Sequence, residues 1–417
     1  MEVASPPPER ALSASPIGAM AGEPARRVMQ VLMRSGQEAR FIGGCVRDAL
    51  LGIQAADIDI ATPLPPDEVM RRMKQDGIRV VPTGIDHGTV TAIVDHVPFE
   101  ITTLRRDVET DGRHAKVVFT DDWRADASRR DFTINAMSLT PEGELYDPFG
   151  GRADLEAGRV RFIGDAHQRI VEDVLRILRF FRFHARFGQG APEAVGLAAC
   201  TALAPLLPGL SGERVAQEVL RLLQQDRAAE TWRLMLSAGV VAQILPQATH
   251  VNRLEALDRL EWLVGEADPM AHLAVLLPHS PVAAVDVAVR LKLSVAQRER
   301  LAALVVPTVD VHPDLTPVSR RHALQKLGAD LFRDLLLIAA ADRGTPAPYL
   351  LEALAEAACW VRVEFPLKGR DALALGVPPG PGVGLLLAGV EGWWAARDYR
   401  PGREDCLEEL RRRIAAS

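Results

Sequence analysis

Gly43-Gly44-Cys45-Val46-Arg47-Asp48 and, after a short spacer, Asp57-Ile58-Asp59-Ile60 decide how this chain is read. In a β-strand successive side chains point to opposite faces, so Asp57 and Asp59 fall on one face and Ile58 and Ile60 on the other. Two carboxylates on a rigid strand can bridge two magnesium ions. Such a pair lowers the barrier to in-line attack on a phosphate by holding the incoming and leaving oxygens. An Asp-x-Asp by itself is common at strand ends. The glycine pair upstream lies between an expected strand, Arg40-Phe41-Ile42, and an expected helix from Val46. Two glycines let backbone N–H groups approach a triphosphate, a helix N-terminus favours anions, and Arg47 can add a charge-assisted contact. A glycine pair before a helix is also an ordinary turn. Its place just ahead of the acidic pair gives it weight.

Working outward, β-rich runs at Val90 to Val94 and Phe99 to Leu104 alternate with helical stretches at Glu23 to Met33, Val46 to Leu51 and Pro66 to Lys74. This mixture predicts a small α/β domain ending near Asp154. From His167 onward, apolar residues recur at helical spacing in Leu/Ala/Arg-rich segments. Breaks are expected at Gly188 to Pro192, Leu207 to Gly212, Pro278 to Pro281, Pro307 to Pro317, Gly344 to Pro348 and Pro378 to Gly382. The fold class expected is α+β, with a small mixed-sheet head followed by an elongated all-α neck, body and tail.

Composition narrows the function classes. Nearly half of the 417 residues are apolar and a quarter are charged, which suits a soluble globular protein. The first residues are rich in Pro, Ala and Ser without an apolar run behind a basic start, and read as a disordered leader rather than a signal peptide. No apolar run reaches membrane-spanning length without charge or proline. Cys45, Cys200, Cys359 and Cys406 are scattered, with neither metal-ligand spacing nor a disulfide framework, which suits a reducing cytoplasm. The net charge of −6 argues against a generally basic nucleic-acid binder. The local runs Arg176/Arg179/Arg182 and Arg411-Arg412-Arg413 leave room for a shaped RNA held by local basic surface. Solvated helix faces are the competing reading of both runs.

At Gly43, Gly44, Val46, Arg47, Asp48, Asp57 and Asp59 the chain resembles the DNA polymerase beta-like nucleotidyltransferase superfamily. More narrowly, it resembles class II CCA-adding enzymes and bacterial poly(A) polymerases. The resemblance continues through further motifs to about residue 220. It implies a magnesium-dependent enzyme with a two-metal site at Asp57 and Asp59 that joins nucleotides to an RNA 3′ end. Polymerase-type sites often carry a third carboxylate on a neighbouring strand, and Glu100 is the candidate, as metal support or as base for the attacking hydroxyl. Asp111-Gly112-Arg113-His114-Ala115 resembles the flexible loop that helps such enzymes switch from adding C to adding A. A plain surface loop is the alternative.

Arg129-Arg130-Asp131-Phe132-Thr133-Ile134-Asn135-Ala136 resembles the family's ribose and triphosphate motif. Arg130 can meet phosphate, Asp131 can accept from a ribose hydroxyl, and Asn135 can add a hydrogen bond. Asp147-Pro148-Phe149-Gly150-Gly151 resembles a hinge out of the head and suits an inert linker equally. In Glu172-Asp173-Val174-Leu175-Arg176, a continuous helix would put Asp173 and Arg176 on one face. One carboxylate acceptor beside one guanidinium donor matches the amino group and ring nitrogen of both cytosine and adenine, whereas guanine and uracil present the reverse pattern. This is the family's nucleobase motif, with Arg179 orienting the pair. An intrahelical ion pair is the bland alternative. Ser211 to Glu218 reads as a capped helix start, with Arg214 and Glu218 as scaffolding one turn apart. The nucleotide-binding set expected is therefore Gly43, Gly44, Arg47, Arg130, Asp131, Asn135, Asp173, Arg176 and Arg179.

These readings divide the chain into a leader (1–23), a catalytic head (24–154), a neck that reads the nucleobase (155–222), a body (223–310) and a tRNA-binding tail (311–417). The expected partners are tRNA, ATP and CTP, with no membrane. A CCA-adding enzyme is favoured because the chain is compact and lacks a long basic extension. A poly(A) polymerase uses the same motifs with ATP alone. A non-catalytic RNA-binding protein on the same fold is opposed by the intact Asp57, Asp59, Arg130 and Asp173.

Overall fold

The structure is a computed structural model. It describes residues 20, 22–55, 57–110, 115–261, 263, 265, 268–345 and 348–416. Most of the expected leader and the expected loop residues Asp111 to His114 lie outside the described residues. The chain divides into two compact units, residues 1–246 and 247–417.

In the first unit the elements run α1 (Glu23–Leu32), β1 (Arg40–Ile42), α2 (Gly44–Leu50), β2 (Ile58–Thr62), α3 (Pro66–Gln75), β3 (Arg79–Gly84), β4 (Thr89–Val94) and β5 (Val97–Thr103). Then come β6 (Arg105–Thr110), β7 (Ala115–Phe119), α4 (Trp123–Ser128), β8 (Ser138–Leu139) and β9 (Leu145–Tyr146). Helices α5 (Gly151–Glu156), α6 (Ala166–Glu172), α7 (Arg176–Phe187), α8 (Ala194–Leu203), α9 (Gly212–Leu223), α10 (Ala228–Ser237) and α11 (Val240–Ile244) complete the unit.

The main sheet has the order β3-β4-β5-β2-β1-β8-β9. It is mixed, because β2 and β5 run parallel while their other neighbours are antiparallel. Its register explains its two faces. Ile58 and Ile60 stand opposite Phe99 and Ile101, which in turn face Ala92 and Val90, and all six are buried. Helices α1 and α3 pack on this side of the sheet edge. They bring Val28, Met29, Leu32, Val69 and Met73 at helical spacing. Burying one such side chain fully contributes about 1.5–3 kcal/mol. The alternate residues form the opposite, polar face, where Asp59, Glu100 and Thr91 lie side by side across three strands. The segment expected as a loop enters and leaves as a separate antiparallel hairpin, β6–β7.

Phe132 and Phe162 form an isolated bridge with ring centroids 4.8 Å apart, and Phe162 stacks on Phe180 of α7 at 5.6 Å. This aromatic cluster fixes α7 against the end of the head. The expected hinge at Asp147 to Gly151 is tightly packed. The Asp147 carboxylate accepts from the N–H groups of Gly151 and Arg152, and a Cβ on Gly151 would lie 2.2 Å from the Thr133 carbonyl oxygen.

The second unit is helical, from α12 (Val251–Glu261) to α21 (Arg403–Ala415). The expected breaks in it fall between helices. Trp394 is buried with Leu367, Val390, Cys406 and Leu410, so it belongs to a core. Asp371 accepts from the Lys368 N–H at 2.7 Å and pairs with Arg403, which fixes the chain where a helix begins at Gly369. No described helix is long and apolar enough to cross a membrane.

Candidate active site

Gly43 stands between β1 and α2 with φ +70° and ψ −126°, a backbone that L side chains rarely adopt. A Cβ there would also lie 3.1 Å from Arg130 Nη1, so a larger residue would both strain the backbone and press on that guanidinium. It lets Arg130 approach the start of α2. Beside it, a cleft of about 460 Å³ is lined by Gly43, Gly44, Arg47, Asp59, Arg129, Arg130, Asp131, Asn135, Asp173, Arg176, Arg179 and Phe183. All nine residues expected to bind a nucleotide line it, although they come from α2, the segment after α4, the α6–α7 junction and α7. Arg129 and Phe183 were not expected. Arg129 was visible only as the neighbour of Arg130 in the motif.

The acidic set stands at the edge of this cleft. Asp59 is the cross-strand partner of Glu100 in the parallel β2–β5 pair. Asp57 precedes β2 by one residue, so the expectation of two strand carboxylates is corrected to one in the strand and one in the bend before it. Burial pushes the Asp59 carboxyl up to about 6; Glu100 and Asp57 add to the shift and Arg130 opposes it. Asp57 and Glu100 are exposed and do not line the cleft. A hard divalent cation takes oxygen ligands. Asp57 and Asp59, with Glu100 opposite Asp59 across the strands, offer the oxygens for one, and a bound cation would offset both the burial and the neighbouring carboxylates that raise Asp59.

A relay of hydrogen bonds links Arg47, Asn135, Asp131 and Arg179. Arg47 is buried; its Nη1 donates to Asn135 Oδ1 at 2.6 Å, while its Nε and Nη2 donate to Asp48 Oδ1. Asn135 Nδ2 donates to Asp131 Oδ1 at 3.0 Å, and Arg179 Nε donates to Asp131 Oδ2 at 2.7 Å. The Phe132 N–H also donates to Asp131 Oδ1. Burial alone would raise the Asp131 carboxyl, but Arg179 and these donors hold it below the usual range. Its oxygens are therefore already engaged. A ribose hydroxyl reaches Asp131 only by sharing or replacing one of these donors.

On the opposite wall the chain departs from the expectation. Asp173 and Arg176 do not share one helix. Helix α6 ends at Glu172, and Asp173 is extended, with φ −150° and ψ 103°. The physical reason is local: Asp173 Oδ1 accepts from the Leu175 N–H at 3.1 Å, a turn that competes with helix continuation. Asp173 is then held from another element, because Arg214 Nη2 donates to both its oxygens at 3.0 and 2.9 Å. Arg176 donates to Glu172 Oε2 at 2.9 Å and to the carbonyls of Arg169 and Arg129. Both side chains still reach the cleft.

The reading of Arg214 and Glu218 as an intrahelical brace is likewise corrected. Arg214 serves Asp173, and Glu218 is buried against Arg182, with Arg179 nearby. Ser211 occupies the N-cap position of α9 but makes no side-chain cap bond.

Residues 39–161 match the poly A polymerase head domain, and residues 193–251 match a domain described as the probable RNA and SrmB-binding site of polymerase A. The chain is 35% identical over 394 residues to the mitochondrial CCA tRNA nucleotidyltransferase 1 of Danio rerio, covering 91% of this chain and 89% of that one. It is 32% identical to the CCA-adding enzyme of Levilactobacillus brevis, covering 88% of this chain and 92% of that one. The solved structure of the Bacillus stearothermophilus CCA-adding enzyme in complex with CTP superposes with a TM-score of 0.79 at 27% identity, covering 97% of this chain and 99% of that one.

Proposed function

The chain belongs to the family of CCA-adding tRNA nucleotidyltransferases and poly(A) polymerases, and from that premise we propose that it adds CMP and AMP to the tRNA 3′ end. The tRNA 3′-hydroxyl attacks the α-phosphate of CTP or ATP, a new phosphodiester bond forms, and pyrophosphate leaves. The observation that carries this reading is the cleft itself. It joins Asp59, the guanidinium groups of Arg47 and Arg130, and the Asp173/Arg176 pair in one space.

Each wall has a part in the reaction. Arg47 and Arg130 face the triphosphate; Asn135, held between Arg47 and Asp131, faces the ribose. Asp173 accepts from the amino group of cytosine or adenine, and Arg176 donates to the neighbouring ring nitrogen. Uracil and guanine meet an acceptor with an acceptor and a donor with a donor, and are refused. Glu100, exposed beside Asp59, takes the proton of the attacking hydroxyl or supports the cation. The cofactor proposed is Mg²⁺, in a two-ion site held by Asp57 and Asp59, and when bound it supplies charge stabilisation for the transferring phosphoryl group.

The head (24–154), neck (155–222), body (223–310) and tail (311–417) remain the proposed division of labour. Exposed Lys368, Arg370, Arg397, Arg400 and Arg411 support RNA contact by the tail. A cytoplasmic location is proposed on the strength of the free thiols at Cys45, Cys200, Cys359 and Cys406.

The test is incorporation of labelled CTP and ATP into tRNA ending at the discriminator base. Addition of two C residues and then A supports the reading. ATP tailing without C supports a poly(A) polymerase instead, and no incorporation overturns both.

A further inference from the structure

We propose that Asp126 is a positioning residue that ties the root of the β6–β7 hairpin to the arginines of the nucleotide cleft. The proposal deepens the functional reading above and rests on it. Asp126 lies in the short helix α4 and is only 4% exposed. Its Oδ1 accepts from the backbone N–H of Arg105, the first residue of β6, at 3.2 Å. The same oxygen accepts from Arg129 Nε at 2.9 Å, with Arg129 Nη2 at 2.8 Å. Its Oδ2 accepts from Arg130 Nη2 at 3.2 Å. One carboxylate thus serves a strand that begins the hairpin and two guanidinium groups that line the cleft.

The bonds continue past it. Arg130 lies beside Asp59 and Gly43, where a triphosphate would be met. The main-chain carbonyl of Arg129 accepts from Arg176 Nη2 at 3.1 Å. The turn that Asp126 closes therefore touches the hairpin root, the phosphate-side arginine and the base-side arginine.

A surface ion pair three or four residues along a helix would look similar on paper. It does not account for the burial, nor for the bond from Arg105, which comes from a separate strand. Helix α4 needs none of these bonds for its own start, because Asp122 caps it by accepting from the N–H groups of Arg124 and Ala125. A buried carboxylate is costly unless its donors are fixed around it. Burial alone would raise the Asp126 carboxyl, and Arg130 and Arg129 hold it below the ordinary carboxylate range. The arrangement is mutual: removing the charge leaves both guanidinium groups without the anion that aims them.

The test uses the full chain and four proteins: wild type, Asp126→Asn, a variant with residues 108–115 shortened, and the double variant. Steady-state kinetics are read on tRNA ending at the discriminator base and on tRNA ending in CC. Direct binding of CTP and ATP is read by calorimetry. Asp126→Asn keeps the shape but loses the charge. It is expected to raise KM and Kd for both nucleotides about tenfold while kcat stays within about threefold. In the double variant, the loss on A addition is expected to be smaller than the product of the two single losses, because both changes break one linkage.

Unchanged KM and Kd overturn the proposal, as does a double variant whose losses multiply. If Asp126→Asn is poorly folded by thermal melting, Asp126→Glu, which keeps the charge but displaces it by one methylene, is used: a severalfold rise in KM and Kd with kcat within about threefold supports the proposal, and wild-type KM and Kd, or a loss confined to kcat, overturns it. A wild type that binds CTP and ATP but adds neither refutes the functional reading. The Kd shift in Asp126→Asn then still decides the positioning role.

Discussion

Asp173→Asn bears most directly on base choice. Asp173 accepts from Arg214 at 3.0 and 2.9 Å and from the Leu175 N–H at 3.1 Å. An asparagine keeps one oxygen acceptor, so the turn that starts α7 can survive. The Arg214 side chain is 34% exposed and Asp173 28%, so the partner left behind hydrates readily. Loss of such a pair costs at most about 1 kcal/mol of stability. The effect on the base edge is larger. The amino group of cytosine or adenine loses an anionic acceptor, and a hydrogen bond to a charged group contributes about 1.5–3 kcal/mol. The expected fall in kcat/KM for CTP and ATP is therefore roughly ten- to a hundredfold. The amide nitrogen can now donate to the carbonyl oxygen of uracil or guanine. Arg176 still opposes their ring N–H, so the gain for UTP and GTP is smaller than the loss for CTP and ATP. The assay is single-nucleotide incorporation on tRNA ending at the discriminator base, with all four nucleotides compared as ratios of kcat/KM. A common loss for all four would refute the base-reading role and leave Asp173 as a turn residue.

Three further outcomes are expected. Asp59→Asn should lower nucleotide addition at least about a hundredfold while leaving the melting temperature and tRNA binding near wild type; near wild-type turnover in Mg²⁺ would remove Asp59 from the cation site. Shortening residues 108–115 should spare C addition and slow the final A, read as the ratio of the two products on gels; equal loss of both would show that the hairpin does not set specificity. His184 is buried in α7, and burial first, then Arg227, pull its pKa down to about 4. Above about pH 6.5 neither state is protonated, but below it the unfolded chain binds a proton that the folded chain refuses until about 4. Stability should therefore fall on acidification, by about 2 kcal/mol at pH 5 from this group alone. Urea midpoints at pH 7 and pH 5 should show a smaller drop in His184→Leu than in wild type, and parallel drops would contradict the assignment.

The four central strands, β4, β5, β2 and β1, were legible because their code is short-range, whereas β3, β8 and β9 were not. Ile58 and Ile60 alternate with Asp59, so strand, buried face and carboxylate face follow from neighbours alone. The cleft was legible where one motif carries its own partners, as Asp131 and Asn135 do. What could not be read depends on residues distant in sequence or on weak patterns. Asp173 leaves the helix for a turn whose carboxylate is completed by Arg214, and no local periodicity announces that. The edge strand β3 carries Pro82 and no fully buried residue, so it shows no alternation. The hairpin has the sequence of a loop, because its polar residues hide a pairing that runs from Arg105↔Phe119 inward. Arg214 and Glu218 are one turn apart, and spacing favoured a mutual pair; tertiary partners took both.

The overall charge of −6 sits oddly with a site for a polyanion, and the lining resolves this. Five arginines line the cleft against three carboxylates, so the space a nucleotide enters is locally cationic. Yet none of the five depends on substrate to hold it in place. Arg47 is held by Asp48, Arg129 and Arg130 by Asp126, Arg176 by Glu172, and Arg179 by Asp131. A carboxylate behind each guanidinium weakens its pull on phosphate but fixes its direction. For the protein template proposed above that trade is necessary. A flexible arginine would follow whichever base edge arrived, whereas one already committed to a carboxylate offers the same donors to every nucleotide. On the proposed base-reading role, refusal of uracil and guanine would follow from their edges failing to match a fixed pattern, since groups set in advance do not rearrange to accommodate the wrong partner.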